Sequence, residues 1–291
     1  MIAFVGAVVA GATGAFFNDT ETSTGNTFAA GAIDLTVDSE QHYNNMICVS
    51  NQDGGYFWQP EPGFTPGVGH YPVAGSACFG SWIAKNLGAE TFFNFTDIKP
   101  GDEGENTISL HITSNPAWAC VDVSLTENDD VSSNEPELAV LGEVLENPND
   151  YFDGELAQNM KFAAWLDQGS ILGWQGKTAD PTEGDNKWLG RDSLEVLLFS
   201  NESGPASDVL GGVSYTLAAP NVNGGVPMAP NQTNYIGLQW CAGTQTVGAN
   251  SITCDGSTLG NIVQTDSMKA NIAFRVEQSR NNESFTCARV Q

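Results

Sequence analysis

Positive charge is what this sequence has least of. Ten Lys and Arg stand against 35 Asp and Glu, a formal charge of −25 over 291 residues. Nucleic acid and anionic lipid carry the same sign and would repel such a chain, so neither is an expected partner. Histidine is nearly as scarce, with only His42, His70 and His111. No two of them fall at i, i+4 or form H-E-x-x-H, so the commonest hydrolytic zinc arrangement is missing. There is no C-x-x-C, and no His lies near a Cys pair, which removes the spacing of a structural zinc site. G-x-S-x-G, P-loop and G-x-G-x-x-G segments are absent too. Among 35 acids a catalytic carboxylate pair could be drawn almost anywhere, so choosing one carries no information. No catalytic residue is assigned and no enzymatic activity is expected. His111 is expected on the solvent face of a strand, and His42 and His70 in loops.

Long apolar runs are also missing. The apolar, uncharged stretch Met1 to Phe17 falls short of the roughly 20 residues of a membrane span. Rich in Gly and Ala, it suits the apolar region of a secretory signal. Ala10-Gly11-Ala12 and Thr13-Gly14-Ala15 offer small residues for processing, and cleavage is expected between Ala15 and Phe16.

What the chain does contain argues for a packed β protein. It is 41% hydrophobic, with 15 Phe, 7 Trp and 6 Tyr, which excludes a disordered acidic tail. Thirty-two Gly and 13 Pro beside only 15% charged residues favour short strands and frequent turns. Period-2 alternation runs through 33–37, 107–113, 121–125 and 269–277, each reading as a half-buried strand. Lys99-Pro100-Gly101-Asp102, Ser114-Asn115-Pro116 and Asn223-Gly224-Gly225 supply turns. These patterns predict a mainly β, antiparallel β-sandwich with loop and short-helix insertions.

One stretch departs from alternation. Residues 127–155 hold ten acids and no Lys or Arg. Asn134-Glu135-Pro136-Glu137 has the form of an N-cap with a carboxylate three residues on, and Leu138, Leu141 and Leu145 follow at helical spacing. A surface insertion with one short helix is the simpler account. Collection of divalent cations is the sharper one, although an ordered D-x-D-x-D-G loop is missing. No cofactor is expected, and calcium is the one candidate ion.

Six cysteines suit an oxidising compartment and allow fifteen pairings. Cys48 and Cys78 flank a Gly/Pro-rich segment and Cys241 and Cys254 a short loop, which leaves Cys120 and Cys287. Three disulfides in that arrangement are expected. The seven tryptophans could line a carbohydrate groove, with Trp58 and Trp174 the test positions, but packing accounts for most of them.

The run Ala15-Phe16-Phe17-Asn18-Asp19-Thr20-Glu21-Thr22-Ser23-Thr24-Gly25-Asn26-Thr27-Phe28-Ala29-Ala30-Gly31-Ala32-Ile33-Asp34-Leu35 resembles the processing site and first strands of the TasA/camelysin family. Precursors of that family carry a SipW-type signal peptide. Phe95-Thr96-Asp97-Ile98-Lys99-Pro100-Gly101-Asp102 is similar to the family's L-K-P-G-D turn, and Gln264-Thr265-Asp266-Ser267 with the strand after it resembles its closing strand. The resemblance implies a jelly-roll-like sandwich, export to the cell surface or extracellular space, and life as a fibre subunit. Residues 1–15 would then be the secretory segment, 16–27 an extended donor segment, and 28–291 one β-sandwich domain with insertions at about 40–85 and 126–190. Polymerisation would be head-to-tail with further copies of the same chain. Phe16, Phe17, Asn18, Asp19, Thr20, Glu21, Thr22, Ser23, Thr24, Gly25 and Asn26 would supply the donor strand, and fibres would bundle laterally. Two other functions compete: a monomeric surface adhesin or carbohydrate-binding sandwich, and a camelysin-like secreted metalloprotease, which the absent ligand motif disfavours.

Overall fold

The computed structural model describes residues 18–20, 33–51, 53–140, 145–171, 176–190, 193–200 and 202–288. The strands in chain order are β1 (Asn18–Thr20), β2 (Leu35–Tyr43), β3 (Met46–Ser50), β4 (Tyr56–Pro60), β5 (Trp82–Lys85), β6 (Glu103–Ile112), β7 (Ala117–Asp130), β8 (Met160–Leu166), β9 (Val196–Leu197), β10 (Ser203–Pro205), β11 (Val213–Ala218), β12 (Thr233–Ala242), β13 (Thr244–Val247), β14 (Ile252–Asp255) and β15 (Asp266–Gln278). Among the described residues, α-helix is confined to α1 (Glu135–Leu138), α2 (Leu156–Asn159) and α3 (Ala206–Val209).

Two antiparallel sheets face each other. The smaller runs β1-β15-β7-β11; the larger runs β10-β8-β12-β6-β2-β3-β4, with β5 beside β2 and β9 beside β8. The alternating segments put Leu35 and Val37, Ile108, Leu110 and Ile112, Val121 and Val123, and Phe274 and Val276 into one buried core between the sheets. Trp240, Tyr43 and Phe95 meet there ring to ring, at 4.6–5.4 Å between centroids.

Local chemistry explains the corners. Asn44 and Asn45 both take positive φ, 48° and 61°, and close the β2–β3 hairpin in the geometry that Asn tolerates best. In the Lys99–Asp102 turn, Asp102 N–H donates to Lys99 O at 3.0 Å while Gly101 takes φ 88°. The Asp102 carboxylate then accepts from Tyr43 Oη at 2.7 Å and Asn44 Nδ2 at 2.9 Å, which ties the turn to the hairpin.

The disulfides are Cys48–Cys78, Cys120–Cys287 and Cys241–Cys254, the three pairs expected from their order in the chain.

Both segments expected as insertions carry strands. Residues 40–85 carry the end of β2 and all of β3, β4 and β5, while 126–190 carries the end of β7 and the buried strand β8. Residues 167–171 and 176–190 cover the outer face of the larger sheet, where Trp165 and Trp188 pack edge to face at 6.3 Å. Carboxylates, not strands, hold this cover. Asp167 accepts from the Gly184 and Asn186 amides, and Asp180 from the Ser170, Ile171 and Thr182 amides. Burial works against charge on Asp180, yet these donors hold its carboxyl down to about 2.

The same cover corrects the solvent-face expectation for β6. Thr107 and Ser109 are buried, and His111 is half-buried, with Nε2 at 2.7 Å from Asp38 Oδ2. His42 is not a loop residue: it lies on β2 between Glu40 and Glu61. The expected capping box forms at Asn134 and Glu137, but α1 ends after one turn; Leu141 lies outside the described residues and Leu145 is exposed.

Candidate functional site

The outermost long strand of the smaller sheet is β15. Its far end pairs with β1, in the register Asn18↔Glu277, Asp19↔Val276 and Thr20↔Arg275. Of the expected donor segment, only residues 18–20 are described; Phe16, Phe17 and 21–26 lie outside the described residues, as does the Ala15–Phe16 cleavage position. Among the described residues no strand pairs with the outer side of Asp266–Phe274. That is the feature by which a sheet accepts an added strand.

The C-terminal tail fastens the β1 end of the strand. Ser279 N–H donates to Pro116 O at 3.0 Å, Trp118 Nε1 to Asn282 O at 2.9 Å, and Cys287 is bonded to Cys120 of β7.

The opposite end of β15 is acidic, and a β-bulge makes it so. Lys269 opposes Glu127 and Ala270 opposes Leu125, so Thr126 is left over on β7. The extra residue reverses which side chains face inward. Before it Val121 and Val123 are buried; beyond it Asn128 and Asp130 are. Asn128 accepts from Ala157 N–H at 2.8 Å and donates to Gly154 O, docking the acidic loop onto the strand.

Asp130 then stands directly opposite Asp266, and Glu137 reaches the same spot from α1. One carboxylate oxygen from each lies within 4.8 Å of the others. Asp130 and Glu137 are 3% and 1% exposed. Glu137 Oε2 takes the Asn134 amide and the Thr265 hydroxyl, both at 3.3 Å. Asp266 Oδ2 accepts the Glu155 and Leu156 amides at 2.6 and 2.8 Å. Burial, with Glu137 and Asp130 adjacent, pushes the Asp266 carboxyl up to about 7 in spite of those amides. Asp266 lies outside the acidic run 127–155 in sequence and joins it only through strand pairing.

A zinc-peptidase centre does not fit the described residues. The one group of three His, Cys, Asp or Glu side chains found converging among them is this all-carboxylate set, whose hard oxygen donors contrast with the histidine-bearing sites of such enzymes. His42 is engaged by Glu61 at 2.6 Å, His111 by Asp38, and His70 Nδ1 sits 3.3 Å from Pro72 O. Of the tryptophans, Trp58, Trp82, Trp118, Trp165, Trp188 and Trp240 are buried and Trp174 lies outside the described residues; Trp58 lines a pocket with Tyr43, Tyr71, Phe79 and Phe95.

The fold and these two features define a disulfide-bonded antiparallel β-sandwich in which, among the described residues, the outer side of Asp266–Phe274 has no partner strand and an acidic pocket lies at its end. Residues 2–56 match the family described as Camelysin metallo-endopeptidase, so the N-terminal block of the chain is similar to the camelysin family. The match spans β1, β2, β3 and the start of β4, together with the segment that carries the resemblance read from the sequence. No curated protein matches the chain. No helix among the described residues is long and apolar enough to cross a membrane.

Proposed function

We propose that this chain is a secreted structural subunit that assembles head-to-tail into extracellular fibres, the segment 16–26 of one copy adding a strand to the sheet edge of the next. The observation that carries this reading is the pairing of Asn18–Thr20 with Arg275–Glu277. It supports a segment competent to be a strand and an edge competent to receive one. An exchanged strand satisfies the same backbone groups between molecules that β1 satisfies within one. Donor and acceptor are different surfaces, so the contact does not close on itself and a filament results. Three disulfides suit an extracellular setting.

Negative-stain microscopy and light scattering of the chain with and without residues 16–26 test this. Filaments from the intact chain and monomers from the truncated one are expected. Filaments that persist without the segment, or an intact chain that stays monomeric, would refute the proposal. Each copy repeats the −25 charge, so lateral bundling should strengthen as salt screens the repulsion; bundling that ignores ionic strength would remove that part of the reading.

A further inference from the structure

The geometry points to a calcium-binding site formed by Asp130, Glu137 and Asp266. The three carboxylates come from β7, α1 and β15, elements brought together by one strand pairing and one helical turn. One oxygen from each lies within 4.8 Å of the other two. That separation fits oxygens sharing an ion at roughly 2.3–2.6 Å each, the range of calcium.

Apposition alone would not make a site, because acids often cluster where water screens them. Here water is largely excluded. Asp130 is 3% exposed, and its Oδ1 accepts no hydrogen bond; Oδ2 has only the Ser133 hydroxyl, at 3.3 Å. Asp266 Oδ1 is likewise buried without a donor, although Oδ2 is fully engaged by two amides. Each aspartate thus turns one oxygen toward a donor and leaves the other bare. A buried carboxylate oxygen left in this state is costly unless a cation or proton supplies what water gave it. Two like charges placed directly opposite on neighbouring strands are themselves unfavourable.

Residues 100–160 contain no Lys or Arg, and Lys269 is taken up by Glu127 at 2.6 Å. Asp129, Glu146 and Asp153 add further negative potential around the pocket. An all-oxygen donor set selects a hard ion over zinc, and a site assembled from a strand, a helical turn and a second strand lacks the small, regular octahedron that magnesium requires. The ion would clamp the acidic loop to the start of β15, at the end of the acceptor edge opposite β1. This inference rests on the pocket and does not depend on fibre assembly.

The test uses the full chain, stripped with a chelator and titrated with CaCl2 by calorimetry and thermal melting, beside Asp130→Asn and Asp266→Asn. One calcium per chain is expected, with a saturable rise in Tm and at least a tenfold weaker affinity in each variant. Without calcium, the Asn variants should melt no lower than the parent chain, since they remove repulsion and retain shape; this separates lost ligation from lost folding. MgCl2 at the same concentration should give a smaller rise. Absence of a calcium-dependent Tm shift, or an affinity equal in the parent chain and both variants, would overturn the site and leave the pocket a proton-sharing cluster.

Discussion

Removing the disulfides one at a time should rank them by the length of chain they close. In the chain-entropy account a cross-link stabilises by restricting the unfolded ensemble, and the effect grows with the logarithm of loop length. Cys120–Cys287 spans 167 residues, Cys48–Cys78 spans 30 and Cys241–Cys254 spans 13. The corresponding contributions are ~5, ~3.6 and ~2.9 kcal/mol. Cys120 and Cys241 are both fully buried, so the local cost of truncating each to Ala is similar and the gap of ~2 kcal/mol between the longest and shortest loops isolates the chain term. The structure widens that gap. The 241–254 loop holds the β13–β14 hairpin, already closed by its own hydrogen bonds. The 120–287 link also keeps Phe285 buried and the Trp118–Asn282 bond in place. Guanidinium unfolding of C120A/C287A, C48A/C78A and C241A/C254A, followed by tryptophan fluorescence, measures the order. If C120A/C287A loses no more stability than C241A/C254A, loop closure is not the source of the stabilisation.

Stability should fall as pH rises from about 4.5 to 9 around the β2–β6 seam. Burial pushes Glu105 up to about 7, with Glu103 and Glu61 adding to it and His42 opposing. The folded state therefore keeps a proton that the unfolded chain releases near 4.5, and stability present below that value is lost by pH 7. Glu105→Gln should flatten this slope and, at pH 8, exceed the parent chain by up to ~3 kcal/mol; an unchanged pH profile by denaturant titration would count against it. Burial disfavours charge on His42, but Glu40 and Glu61 outweigh it and hold the imidazolium to about 9. Its contribution is complete below 6.5 and disappears toward pH 9, in the same sense, so His42→Gln should remove the upper part of the slope. Gly237→Ala would set a methyl 2.1 Å from the ring of Trp165, which is fully buried and has nowhere to move. A loss of ~1–3 kcal/mol is expected, and an unaltered Tm would show that the ring yields. Asn128→Ala strips the Ala157 amide and the Gly154 carbonyl of their partner and should cost ~2–3 kcal/mol, with faster hydrogen exchange at Ala157 as its local signature.

The strands were legible where the pattern is local. Alternation located β2, β6, β7 and β15, because a two-sheet core demands one apolar face from each. It could not show that the second face of β6 is also covered, since Thr107 and Ser109 are small and polar and read as solvent-facing; what buries them is a loop some 60 residues on, organised by Asp167 and Asp180. Gly, Pro and Asn in 40–85 mark turns, yet the turn at Asn44-Asn45 is the device that makes β3 and β4 part of the sheet. Disulfide order was legible because two of the three links are local in sequence.

The acidic pocket shows a harder limit. Continuing the alternation of Val121 and Val123 would turn Glu127 and Asp129 inward and leave Asp130 in solvent. The single residue bulged out at Thr126 reverses that choice. Nothing in the composition of this stretch marks the bulge, because Thr, Glu and Asn fit either parity. Its partner across the ladder, Asp266, is 136 positions away and belongs to a segment without an acidic run of its own. The consequence is that β15 ends in two chemically different ways. At Arg275–Glu277 it offers backbone to a strand from the N-terminal segment; at Asp266 it offers a half-buried carboxylate to a neighbour of like charge. A chain with a charge of −25 could have kept those carboxylates at its surface without cost. Carrying them inward by means of a bulge, and leaving each aspartate one oxygen bare, is unfavourable for the protein alone and becomes favourable with a cation bound between them.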